Sequence, residues 1–256
     1  MDYALEIGRK VLEMTMTRAY IMVVCASILW GSAFLFGKIC LEYLPPLHQA
    51  ALRLTLACLM LAVIVRKNPF RGISRKAWPW LILYSFLQTV LTFSLFNFGL
   101  SLVPSSFGSM VVGMSPAISA GIATAFLPEE KMDMRLLGGI VLGFSAIIAL
   151  SYGRQSLKLA GAGEILGVVL LVFNNMAGAF SNVLVKKKLK SIAGIGMNLV
   201  QMIIGTGVVI LLALAFESHE WKPLPAIASF SLISLAFITA AATTLWLKVV
   251  QEGVVP

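Results

Sequence analysis

The chain has 256 residues, 59% of them hydrophobic and only 12% charged, with a formal net charge of +9. That balance excludes a water-soluble domain of ordinary composition. The basic residues are scattered over short polar stretches, which argues against nucleic-acid binding and fits the flanks of membrane spans beside anionic lipid.

A bilayer core near 30 Å needs roughly 20 helical residues at about 1.5 Å rise each. Apolar runs of that length predict an all-α membrane protein of eight transmembrane helices at about 19–40, 48–65, 78–103, 105–127, 134–152, 163–185, 195–216 and 226–250. No predicted span holds an acidic residue near its middle. The first span is no cleavable signal peptide, because it follows a polar segment of residues 1–18 and runs into further spans.

Lys and Arg set the expected orientation. Arg9, Lys10, Arg18, Arg66, Lys67, Arg71, Arg75, Lys76, Lys131, Arg135, Lys186, Lys187, Lys188, Lys190 and Lys248 fall on one side. Lys38, Arg154, Lys158 and Lys222 fall on the other, and Arg53 lies within a span. This bias predicts a multi-pass protein of the cytoplasmic membrane with both termini in the cytoplasm. Cys25, Cys40 and Cys58 have no metal-ligand spacing, and His48 and His219 form no cluster, so neither a metal nor a cofactor is expected.

The chain repeats itself weakly. Trp30-Gly31-Ser32-Ala33-Phe34 resembles Met176-Ala177-Gly178-Ala179-Phe180, Arg53 stands where Gln201 stands, and Val103-Pro104 matches Val255-Pro256. The offset of about 150 residues predicts a five-span repeat over 19–152 and a second copy over 163–256. An odd number of spans inverts the second copy, the common build of secondary transporters. On this reading the last two helices of a ten-helix, 5+5 fold are missing. A truncated gene product, a fragment and a natural eight-span form all remain open. The chain is expected to insert but to transport poorly alone, unless it forms a homodimer or pairs with a separate two-helix piece.

Leu29-Trp30-Gly31-Ser32-Ala33-Phe34, Gly37-Lys38, Leu44-Pro45-Pro46 and Ala51-Leu52-Arg53 together resemble the opening of an EamA-type repeat of the drug/metabolite transporter superfamily. The fourth span, from Ser105-Ser106 through Ser115-Pro116 to Phe126-Leu127-Pro128-Glu129-Glu130, and the stretch Gly138-Gly139-Ile140-Val141-Leu142-Gly143 are similar to its fourth and fifth helices. The resemblance implies a ten-helix carrier that exports or exchanges small metabolites, often amino acids.

Residues of a solute site are sought in mid-span. Arg53 lies roughly 10 Å below the outer end of its span; it contacts an anion or carboxylate, or it snorkels to helix-end carbonyls and lipid headgroups. Asn174 and Asn175, with Asn182 beyond them, stand in the sixth span. Gln88 stands in the third, with Tyr84 and Thr92 expected on the same face. Asn198 and Gln201 share a face of the seventh, and Asn97 closes the third. Such amides bind a polar solute in a dry cavity or act as interhelical glue. Trp30, Phe34, Phe93 and Trp246 are mid-span aromatics that line a cavity or pack a core; Trp78 and Trp80 read as interfacial anchors. The expected solute-binding set is therefore Trp30, Phe34, Arg53, Tyr84, Gln88, Asn174, Asn175, Gln201 and Trp246, around a midplane cavity between spans one, three, six and eight. Pro116 is the expected kink and gate. Gly139 with Gly143, and Ala117, Gly121 and Ala125, read as helix-packing stripes.

With no mid-membrane carboxylate, uniport or exchange is favoured over proton or sodium coupling. The sequence has no GxxxxGK[ST] loop and no nucleophile–base constellation, so neither ATP-driven pumping nor catalysis is expected. The expected function is a carrier of small metabolites working by alternating access. A non-transporting membrane subunit or inactive fragment is the alternative; an intramembrane enzyme would need a constellation not seen.

Overall fold

The structure is a computed structural model describing residues 2–65, 69–70, 73–127, 134, 137–138, 141–142, 145, 161–190, 192, 194–218 and 222–252, with backbone alone for 2–16 and 252. Among the described residues, seven helices are long and apolar enough to cross a membrane. They are α1 (Asp2–Leu41, of which Thr17–Leu41 is apolar), α2 (Pro46–Ile64), α3 (Trp78–Leu102), α4 (Ser105–Phe126), α5 (Ala162–Leu189), α6 (Gly194–Phe216) and α7 (Ala226–Glu252). Seven are therefore found where eight are expected. The remaining predicted span, 134–152, falls largely outside the described residues, and with it Gly139 and Gly143.

The burial pattern is that of a protein solvated by lipid. Val63 and Phe216 are 79% and 78% exposed, and Ile21, Val24, Ile28 and Leu35 form an exposed apolar stripe on α1. Gln49, Arg53, Asn97, Asn174, Asn175, Asn198 and Gln201 are buried. Water would not tolerate that much exposed hydrocarbon; a bilayer does. The chain is a multi-pass membrane protein.

Prolines set several boundaries. Pro46 opens α2 at a position where its missing N–H costs nothing. Val103 is extended ahead of Pro104, as steric crowding by the pyrrolidine ring demands, and α3 stops there. Lys38 of α1 caps that stop, donating from Nζ to Leu100 O and Val103 O at 2.8 Å each. At the same end of the bundle Glu217, just past α6, accepts from the backbone N–H of Leu47 (2.8 Å) and His48 (3.0 Å), and pairs with His48 Nδ1 at 2.9 Å. A carboxylate there satisfies the orphan donors of α2 and complements its dipole.

Packing is pairwise. α1 packs on α7, α5 on α3 and α4, α2 on α7 and α6 on α3; α2 and α6 pack on each other. The core they enclose includes Leu54, Ala57, Phe93, Met202, Val209 and Ala240. Two crossings depend on glycine. A Cβ on Gly205 of α6 would lie 2.4 Å from Thr89 Cβ of α3. At the other, Gly99 of α3 and Gly167 of α5 face each other, each Cβ position 3.0 Å from the opposite carbonyl oxygen. Without a hydrophobic drive between helices in lipid, such close approach is what holds them. The expected stripe on α4 behaves differently: Gly121 and Ala125 are exposed, and α4 instead buries Ser119, Ala120 and Ala123.

Three helices are irregular. α3 contains a π turn at Phe86–Leu91, α5 ends in a π turn at Val185–Leu189, and α4 breaks at Gly113–Met114. Pro116 lies in the first turn after that break and is exposed, so its ring faces away from the bundle interior.

Candidate functional site

Arg53 is the chemical centre of the interior. Only 3% of it is exposed, so the guanidinium does not reach out to lipid headgroups. Nε donates to Thr239 Oγ1 of α7 at 2.5 Å. The guanidinium carbon lies 4.9 Å from the ring centroid of Phe93 and 5.9 Å from that of Phe96, both on α3. Nη1 is buried with no hydrogen-bond partner, and no acidic side chain pairs with the guanidinium among the described residues. A charge inside a membrane helix is penalised by roughly 2.5–3.5 kcal/mol on insertion scales. Aromatic faces return about 0.5–2 kcal/mol of that, so the group remains under-compensated.

One helical turn along α2, Gln49 is fully buried. Its Nε2 donates to Gly37 O of α1 at 3.1 Å, and its Oε1 is unpartnered. On α3, Asn97 donates from Nδ2 to Pro46 O at 3.2 Å, and its Oδ1 is unpartnered too. In both amides the carbonyl partner fixes which end is the NH2, so the free atom is an acceptor. Gln49 was missed in the sequence; its signal is the position four residues before Arg53, on the same face of a helix. Thr239 and Phe96 were also missed, and nothing local distinguishes them.

The predicted residues divide. Trp30 and Trp246 meet at 5.3 Å between ring centroids, and Phe34 meets Phe96 edge-on at 5.2 Å. Trp246 Nε1 donates to Asn182 Oδ1 at 3.2 Å. These aromatics join α1, α3, α5 and α7, the four helices expected around the pathway. Gln88 is half-buried and accepts from Ser181 of α5 at 2.5 Å. The adjacent Thr89 donates to Gln201 Oε1 of α6. Consecutive residues thus reach different helices, and the π turn sits where they do so. Tyr84, ahead of that turn, packs with Leu81, Val185, Met197 and Leu247 in an apolar cluster. The expected common face of Tyr84, Gln88 and Thr92 is not formed as a polar surface.

Gln201 and Asn175 are committed to the fold. Gln201 also donates to Asn198 Oδ1 at 2.9 Å, and Asn198 donates to Thr243 and Thr244 of α7. Ser85 bonds the Gln201 carbonyl. Asn175 donates to Val111 O at 3.0 Å, beside the break in α4, where the helical ladder is interrupted. Asn174 reaches Asn175 Oδ1 at 3.4 Å and keeps an unpartnered, buried Oδ1.

Residues 17–152, more than half of the chain, match the EamA-like transporter family. The chain belongs to that family. Among the relatives of this EamA-like chain is a Bacillus subtilis protein described as the uncharacterized transporter YvbV, 25% identical over 236 residues, which are 92% of this chain and 75% of that one. The uncharacterized transporter YoaV of the same organism is 22% identical over 211 residues, 80% of this chain and 71% of that one. The uncharacterized inner membrane transporter YedA of Escherichia coli K12 is 24% identical over 209 residues, 79% and 64% of the two chains. A crystal structure described only as that of a protein shares the fold, with a TM-score of 0.71 at 15% identity over 90% of this chain and 78% of that one. A membrane transporter is thus the function class of this EamA-like chain.

Proposed function

We propose that this chain carries small metabolites, such as amino acids, by alternating access between two halves of opposite orientation, the first from residue 19 to 152 and the second from 163 onward. The observation that carries the reading is a reciprocity of helix crossings. Arg53 bonds Thr239 between α2 and α7, and Thr89 bonds Gln201 between α3 and α6. Gln201 follows Arg53 by 148 residues and Thr239 follows Thr89 by 150, so each bond is the image of the other. The Phe34–Phe96 contact has the Asn182–Trp246 contact as its image at the same two offsets. Two copies of one repeat, folded about an axis in the membrane plane, leave such pairs.

The solute path lies between α1, α3, α5 and α7, where Trp30, Gln88, Asn174 and Trp246 stand. The N-terminus is cytoplasmic, on the Lys and Arg bias. The glycine crossings at Gly205 and at Gly99–Gly167 give the halves close, smooth contacts on which to rock. The test is flux. The purified chain in vesicles is expected to give saturable amino-acid uptake, accelerated by unlabelled solute on the far side. Equilibration of a labelled amino-acid panel no faster than through protein-free lipid would overturn the carrier reading.

A further inference from the structure

We infer that the solute is a small carboxylate with a hydrogen-bond donor on a neighbouring atom, an α-amino or α-hydroxy acid, seated on Arg53, Gln49 and Asn97. The inference rests on the carrier reading and adds to it what is bound and where. The site lies between α2 and α3, toward the end of the bundle where Glu217 caps α2, and not on the Gln88 and Asn175 amides of the predicted set.

Three observations converge. Arg53 is a buried cation whose Nη1 has no partner, with no acidic side chain against it among the described residues. A guanidinium held by Nε alone keeps its Nη edge for a planar oxyanion. Gln49 and Asn97 each spend their NH2 group on a backbone carbonyl and hold out an acceptor oxygen. Those carbonyls, Gly37 O and Pro46 O, fix both amides near the first turn of α2. The interior therefore offers a cation to a carboxylate and, a turn of helix away, two acceptors to an ammonium or hydroxyl. Buried polar groups left unpaired are costly. An ammonium can donate to both acceptors and a hydroxyl to one of them. A solute is recognised by the cost it relieves, and an analogue lacking the carboxylate or the donor leaves that part standing. Thr239 and the faces of Phe93 and Phe96 hold the guanidinium in place, so little ordering remains when the solute arrives.

Binding is measured on the detergent-purified full chain by thermal unfolding, with L-alanine, L-leucine, L-phenylalanine, L-lactate and succinate, each against its carboxamide. At least one α-substituted acid is expected to raise the midpoint. Its carboxamide should bind about tenfold more weakly or worse, the scale of one lost charge-assisted hydrogen bond. Arg53→Gln should abolish the response. If that variant does not fold, Gln49→Glu decides: a carboxylate one turn from Arg53 pairs with it internally, which should raise the basal midpoint and abolish the response to added acid. An unchanged response in either variant, equal responses to acid and carboxamide, or no response to any compound would overturn the proposal. Flux in vesicles separates the two readings. Saturable flux indifferent to the carboxyl group leaves the carrier and removes this site; carboxylate binding without flux does the reverse.

Discussion

Arg53 donates to Thr239, and Thr239 in turn donates to the carbonyl of Leu235, one turn earlier on α7. The hydroxyl proton is thereby committed to the backbone, which leaves the threonine oxygen as an acceptor for the guanidinium. A buried charge is thus anchored by a neutral group, and its net charge is left uncancelled. The replacement Thr239→Val keeps the shape and removes the acceptor. It is expected to destabilise the chain by about 1–3 kcal/mol, whereas Thr239→Ser should cost less than half of that. Unfolding of both variants in mixed detergent micelles checks the difference.

The crossing of α3 and α6 has no room for a methyl group at residue 205. Gly205→Ala drives a Cβ to 2.4 Å from Thr89 Cβ, and the helices must part. The expected loss is about 1–3 kcal/mol, the usual range for overpacking. Gly207, two residues on in the same helix, has open space around its Cβ position. Gly207→Ala should be neutral or stabilising, because alanine is the better helix former. Equal behaviour of the two variants would show that the crossing is looser than described.

Glu217 satisfies two backbone donors at the start of α2 and the ring of His48. Glu217→Ala should lower stability by about 1–2 kcal/mol, in the range of a lost N-cap. Glu217→Gln retains one acceptor oxygen and should recover part of it. Thermal midpoints of the three proteins provide the comparison.

Gln201 and Gln88 should respond differently to truncation. Gln201 ties α6 to α3 directly, and to α7 through Asn198, with its oxygen and its NH2 group both engaged. Gln201→Ala is expected to reduce folded protein in the membrane and flux in equal proportion. Gln88→Ala removes a half-buried group bonded to one serine, and flux per folded molecule should fall further than abundance. Quantitative blotting beside transport in the same vesicles distinguishes the two patterns.

Orientation is tested by labelling from outside. In a chain lacking Cys25, Cys40 and Cys58, a cysteine at Lys187 should resist an impermeant thiol reagent on whole cells, and one at Lys222 should react. Reaction at Lys187 would reverse the proposed topology.

The sequence by itself determined the solvent of this protein. Hydropathy adds up locally, so seven of the eight predicted spans reappear as helices within a few residues of their expected ends. The proposed 150-residue repeat draws on the same local information, since matched residues keep their spacing along the chain. Which face of each helix turns inward is not a local sum. In lipid both faces are apolar, and a moment cannot say where a neighbour lies. Only the tertiary structure decided that Arg53 is buried, that Gln201 and Asn175 serve the fold, and that Pro116 faces outward. The π turn in α3 re-aimed Gln88 and Thr89 in a way no spacing rule anticipates. Gln49 stood at a legible spacing from Arg53, but that it holds out an acceptor shows only once Gly37 of α1 takes its NH2 group, as Pro46 takes that of Asn97 from α3.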